Sequence, residues 1–435
     1  MTTDIDPTSL SEAEQAAVEA IGAGRIASFT DNAAIRAEVL AAEAEFAPRG
    51  VRVSGARIEG RLDLSDAALS ALLLEDCDLP DVVDVSGARL GRLSIKGSRF
   101  SHLLARNAHI EAGLDFGATS AIDGEAWIDA GRATIRGGVD GSGAQLNSPA
   151  PRPKEAVLPW EHNYALRLSE TDIQGNVVLN GLIDGPRFVA DGGICLDDAH
   201  IKGSLWVRAG DVYAKEGDSF HPGDAIHAHA AVIDGFVGLN FGFTAKGRVW
   251  FQGAKIRERL SIGLEYDNRL RKVDEMWDWG GRQMNQSVLL HLDQVEIGGS
   301  VIINAIDIDG AIGMAHCKLG AGITIAGNIR GKSADGAGMA INARGAHIHG
   351  DFNLNRNLDA EGRINLADAV ITGHLILGSA AIDNATEDGR GVAIDLSWAE
   401  VGKTVSPAAV ASGAVLEGSA IKGRIVLDNA VIGRQ

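Results

Sequence analysis

The chain has 435 residues, 40 of them basic and 58 acidic, and the net charge of −18 argues against a general nucleic-acid or anionic-membrane surface. Its 55 glycines and 10 prolines are spread without the composition break that marks a linker between globular domains. No apolar run approaches the roughly 18 residues that would cross a bilayer, so no transmembrane segment is expected.

The first residues, MTTDIDPTSLSEAEQ, lack the basic start and apolar core of a signal peptide, and the expected location is cytoplasmic. Ser11 followed by Glu14 reads as a capping box before a helix in EAEQAAVEAIGAG. Thr30 or Asp31 can cap a second helix in NAAIRAEVLAAEAEF, ending near Pro48 and Gly50. Residues 1–50 are therefore read as a helical cap, with Ile35, Val39, Leu40 and Phe46 available to pack on the exposed core of the first coil.

From residue 51 onward one frame repeats: a small residue, an aliphatic two places on, often Gly two further, then apolar residues at the next two alternate positions. Ala56, Ile58, Gly60, Leu62 and Leu64 set it, and Thr171, Ile173, Gly175, Val177 and Leu179 repeat it. Ala346, Ile348, Gly350, Phe352 and Leu354 continue it, and Ser419, Ile421, Gly423, Ile425 and Leu427 close the series. Alternation is the strand period, so these side chains share one face while the intervening Arg, Glu, Asp, Lys and His face water. No amphipathic helix of ordinary length is left between frames. The expected fold is all-β: a single elongated parallel β-helix, or β-solenoid, over residues 51–435, with inserted loops near 148–163, 209–224 and 263–286.

Between residues 56 and 120 the spacing tightens to about ten, with Ile58, Leu69, Leu79, Leu90, Phe100 and Ile110 each preceded two places earlier by a small residue. Cys77 stands there in place of Ala. This stretch resembles the pentapeptide-repeat proteins, which implies a right-handed square β-solenoid. The resemblance is confined to about residues 51–120, because Asp63 stands where that pattern would put an aliphatic. The run RGVRVSGARIEGRLDL is also similar to a broad set of bacterial repeat proteins, which implies a fold and not an activity.

Cys77, Cys195 and Cys317 are odd in number, far apart and without metal-ligand spacing, and are read as small core residues. The pairs His227/His229 and His347/His349 invite a metal reading, since alternate strand residues share a face, but His109, His200 and His347 occupy a variable slot filled elsewhere by Arg57, Arg89 and Lys255. Asp197 and Asp198 form the nearest local carboxylate pair, and in an alternating strand they would point to opposite faces. No catalytic residue, cofactor or metal site is assigned.

The strongest break in the repeat is GLEYDNRLRKVDEMWDWGGRQMNQ, where Arg269, Arg271, Lys272 and Arg282 lie beside Trp277 and Trp279. A second irregular segment carries Trp160. Trp and Arg are the residue types that most often anchor interfaces, so these seven are the candidate partner-binding residues. The last frame has no cover comparable to the N-terminal helices, and a C-terminal homodimer or end-to-end assembly is expected from it. The function expected is a non-enzymatic scaffold for protein–protein interaction or self-assembly. Alternatives are a DNA-mimicking, topoisomerase-binding protein of the pentapeptide type, or a carbohydrate-binding or carbohydrate-active β-helix.

Overall fold

A computed structural model of the protein describes residues 9–148, 164–215, 223–263, 290–308, 310–331, 338–354, 358–378, 380–385, 391–406 and 420–433. The chain divides into two compact units, Met1–Gly217 and Asp218–Gln435. Both are built from short parallel strands. The described residues contain two α-helices, α1 (Glu12–Gly22) and α2 (Ala37–Ala44), both in the first unit.

The capping box of α1 forms as its sequence dictates: the Glu14 amide donates to Ser11 Oγ at 3.2 Å, and the Ser11 amide donates to Glu14 Oε2 at 2.8 Å. The second helix departs from expectation. It starts five residues later than the sequence suggests, because residues 27–36 form a strand, β1 (Ala27–Arg36), that pairs in parallel with β2 (Val51–Glu59). Ile35 lies opposite Ile58 and Ala33 opposite Ala56, so the frame already operates inside a segment whose Ala and Glu content favours helix. Ile35 on β1 and Val39 and Leu40 on α2 are buried, whereas Phe46, expected to pack there, is 71% exposed.

The repeat frame becomes columns of stacked aliphatics. In the first unit Leu69, Leu90, Ile110, Ile135, Ile173 and Ile201 lie side by side in successive two-residue strands. In the second unit Ile233, Ile256, Ile297, Leu319, Ile348, Ile371 and Val401 do the same. All of these residues are buried. The tight ten-residue spacing has a simple cause. Leu69, Leu90 and Ile110 belong to one column while Leu79 and Phe100 belong to another, so two frames make one step of the ladder.

One expectation is corrected. The strands wrap into a nearly closed, barrel-like sheet, and the chain is not a single elongated β-helix. The physical reason lies in long strands that carry pairing around corners. In the first unit β2 pairs with Leu72–Glu75 and then with Asp78, and the strand Asp78–Asp84 continues past a register shift between Leu79 and Val82. In the second unit Val301–Ile308 bends the same way between Ile303 and Ile306. A bulge at each corner turns the backbone without breaking the ladder, so neighbouring faces remain one hydrogen-bonded sheet.

Glycine is required where adjacent corners nearly touch. A Cβ on Gly137 would overlap the carbonyl oxygen of Ala112, and one on Gly175 would lie 2.8 Å from the amide nitrogen of Gly138. These glycines hold the corners at backbone-to-backbone distance.

Candidate partner-binding surfaces

The seven residues singled out by sequence, Trp160, Arg269, Arg271, Lys272, Trp277, Trp279 and Arg282, all lie outside the described residues. Most of the three expected insertions lies there too. The histidines can be placed. His227 ends the strand Asp224–His227 and, through the register of the second unit, adjoins Trp250, which in turn adjoins His291. The His227 and Trp250 rings stack at 4.9 Å with 6° between their planes, His229 meets the indole edge-on at 6.3 Å, and His291 is tilted at 5.9 Å.

Charge fixes this aromatic row. The Asp224 carboxylate lies 2.6 Å from Arg248 Nε and 3.3 Å from His227 Nδ1, and the Arg248 guanidinium sits 4.6 Å from the centre of the Trp250 ring. The indole N–H donates to Gln252 Oε1 at 3.0 Å. Burial pushes the Asp293 carboxyl up, but hydrogen bonds from His291 and the Ala315 amide outweigh it, and the group lies below its ordinary value. The imidazoles therefore pack around an indole and do not converge on a point. Among the described residues no group of three His, Cys, Asp or Glu side chains could hold a metal ion. His347 stands exposed between Lys318 and Val370 in its ladder.

Asp197 and Asp198 differ from the alternating-strand reading. The strand stops at Cys195, and both acids occupy the turn after it, Asp198 with φ of 52°. That left-handed position recurs before the small residue of frame after frame, at Asp66, Asn107, Asp368 and Asn429 among others. Asp and Asn suit it because their short side chains tolerate positive φ. The acids are turn formers.

The buried carboxylates among the described residues each face an arginine. Asp129, 2% exposed, is held by Arg106 at 2.6 Å and Arg167 at 3.7 Å; Asp211 by Arg187 at 2.8 Å; Asp84 by Arg61 at 2.6 Å. Asp78 has Arg99 at 3.4 Å, and Glu14 has Arg36 at 2.7 Å. Such acids are committed to structure, because releasing one would strand a desolvated charge. The three thiols are buried, and burial pushes Cys77 up to about 11 and Cys195 and Cys317 to about 12. Thiols so raised stay protonated and make poor nucleophiles at neutral pH.

Among the described residues each unit carries an open groove. The first, about 560 Å³, runs over Ala68, Arg89, Gly91, His109, Thr134 and Arg136. The second, about 500 Å³, is lined by Ser300, Gly322, Asp351, Asn353, Thr372 and Lys403.

The last described strands, Ala420–Lys422, Arg424–Val426 and Val431–Ile432, form a different surface. Ile425 lies opposite Ile394 and Ile432 opposite Val401, continuing the buried columns. Yet Ile425, Leu427 and Ile432 are 47%, 51% and 43% exposed, where Ile394, Leu396 and Val401 are at most 2% exposed. Trp398, in the neighbouring row, is 64% exposed and sits at the left-handed turn position with φ of 60°, which a bulky side chain rarely adopts. Sequence reasoning missed Trp398; its signal was an indole in a slot that other copies fill with smaller or more polar residues, among them Asp66, Asn107, Glu170, Ala230 and Gln294. Comparison with known proteins supplies no relative, since no protein-family model, curated protein or solved structure matches the chain.

Proposed function

We propose that the protein is a non-enzymatic scaffold that works through protein–protein contact, beginning with association between its own copies. The observation that carries this reading is the row of core-type residues left in water at the final strands. Ile425, Leu427 and Ile432 occupy positions whose equivalents one row earlier are buried, so a matching surface would complete a core and not merely cover a patch. Covering three half-exposed aliphatic side chains is worth about 1 kcal/mol each before the cost of association. The strands also offer a free edge to pairing, since each has one ladder partner among the described residues.

Geometry favours a symmetric pair. The start of the first unit differs from the final strands, because α2 packs against the strand Leu62–Asp63 and α1 packs on β1 and α2. Like surfaces meeting about a two-fold axis remain, the commonest arrangement among homo-oligomers. Sedimentation equilibrium tests it: the intact chain is expected at twice the monomer mass, and Leu427→Asp with Ile432→Asp at monomer mass with unchanged circular dichroism. A monomer at every concentration, or a dimer unaffected by both aspartates, would sink the proposal.

A further inference from the structure

We infer that the groove of the first unit binds an oxyanion of the phosphoryl class, gripped by Arg89 and His109. The groove lies between two rows of outward side chains. One row reads Ala68, Arg89, His109, Thr134 in ladder register, and the other, two residues further along each strand, reads Ser70, Gly91, Glu111, Arg136. Leu69, Leu90 and Ile110 form the buried floor.

In the second unit the equivalent row sets opposite charges side by side at Glu296 and Lys318, where Lys318 Nζ meets the carboxylate at 2.8 Å, before it reaches His347. At Arg89 and His109 two donors adjoin instead, one row apart at roughly 4.8 Å, with no carboxylate between them. Neither makes a side-chain hydrogen bond or ion pair with a described residue. The nearby acid, Glu111, is occupied by Arg136 at 3.0 Å. Ala68, Ser70 and Gly91 carry little or no side chain, which leaves the space beside Arg89 open.

A tetrahedral anion fits this chemistry. Its oxygens can accept two parallel bonds from the planar Arg89 fork while another reaches the imidazole of the next row. The Thr134 hydroxyl stands one row further on. The protein's overall negative charge opposes the approach of an anion at long range, but at physiological salt that field is screened beyond about 8 Å and the local cations decide. The charged or titratable groups facing His109 are Arg89 in the preceding row and Glu111 and Arg136 across the groove.

Equilibrium dialysis with radiolabelled sulfate, a dianion at neutral pH, tests the inference at constant sodium chloride. The intact chain is expected to take up one sulfate with Kd on the order of 1 mM at pH 7. Arg89→Ala should weaken uptake about tenfold, Arg89→Lys should restore part of it, and His109→Ala should weaken it by a smaller factor. Inorganic phosphate and adenosine monophosphate, added as competitors, separate a free oxyanion from a phosphoryl group carried on a larger molecule. No saturable uptake, or equal uptake by Arg89→Ala with an unchanged melting curve, would overturn it.

Discussion

Gly137→Ala is expected to destabilise the first unit by more than about 4 kcal/mol, a loss reserved for substitutions that nothing can relax around. The added Cβ would collide with the carbonyl of Ala112, and that carbonyl belongs to a segment already fixed by the bond from the Ala112 amide to Gly91 O at 2.7 Å. Neither side can retreat. The Gly137 carbonyl also accepts from the Gly175 amide at 2.9 Å, so moving the backbone outward would break the next corner as well. Gly22→Ala is the contrast: it ends α1 with nothing within 4 Å of its prospective Cβ, and should be neutral or stabilise by roughly 0.5 kcal/mol. Thermal melts of the two variants against the parent decide the matter, and a Gly137→Ala protein melting within two or three degrees of it would refute the close-approach account.

The second large effect concerns acid. Glu14 is 3% exposed and receives bonds from the Arg36 side chain, the Ser11 amide and the Arg36 amide. The Arg36 side-chain bond is the main reason its carboxyl is lowered from 4.5 to about 2. Because the folded value lies below the unfolded one, this contribution is complete above about pH 4.5 and is lost as the pH falls through about 2. It amounts to about 2–3 kcal/mol, the smaller figure allowing for solvent screening at the partly exposed guanidinium. Glu14→Gln should remove most of it at pH 7 and flatten the acid dependence of the helical cap, read by helical circular dichroism between pH 5 and pH 2. A Glu14→Gln protein with the parent's acid profile would assign the cap's stability elsewhere.

Much of the architecture was legible because one rule was repeated. The small-x-aliphatic frame named Leu69, Leu90 and Ile110 as inward residues, and Cys77 as a stand-in for Ala, before any strand was placed. Adjacency was harder. Arg89 and His109 were visible in one variable slot, but frames ten residues apart alternate between two columns, so only the register shows which side chains meet. The strand Ala27–Arg36 was hidden by composition: Ala33, Ile35 and Ala37 fit the frame loosely in a segment of helix-forming residues, and pairing with β2 settles the contest. The wrapped, nearly closed sheet was not legible at all, since a corner bulge such as that between Ile303 and Ile306 leaves no mark in a two-residue alternation. The expected interface residues occupied irregular segments where periodicity, the main source of inference, is absent. Charge is mixed along the ladders, with Arg132 facing Glu170 at 3.1 Å and Arg136 facing Glu111, which suits a scaffold better than an unbroken acidic track imitating a duplex.

The parallel ladders have a direction that exchange with heavy water would make visible. In the last rows the amides of Leu396 and Trp398 donate forward, to Val426 O and Asp428 O, while those of Glu400 and Gly402 donate backward, to Ala369 O and Ile371 O. If the final row detaches transiently, Leu396 and Trp398 lose their protection and Glu400 and Gly402, a few residues away on the same chain, keep theirs. A sharp break in exchange rate between Trp398 and Glu400 would therefore record the opening of the edge, and association of two copies across it would erase that break.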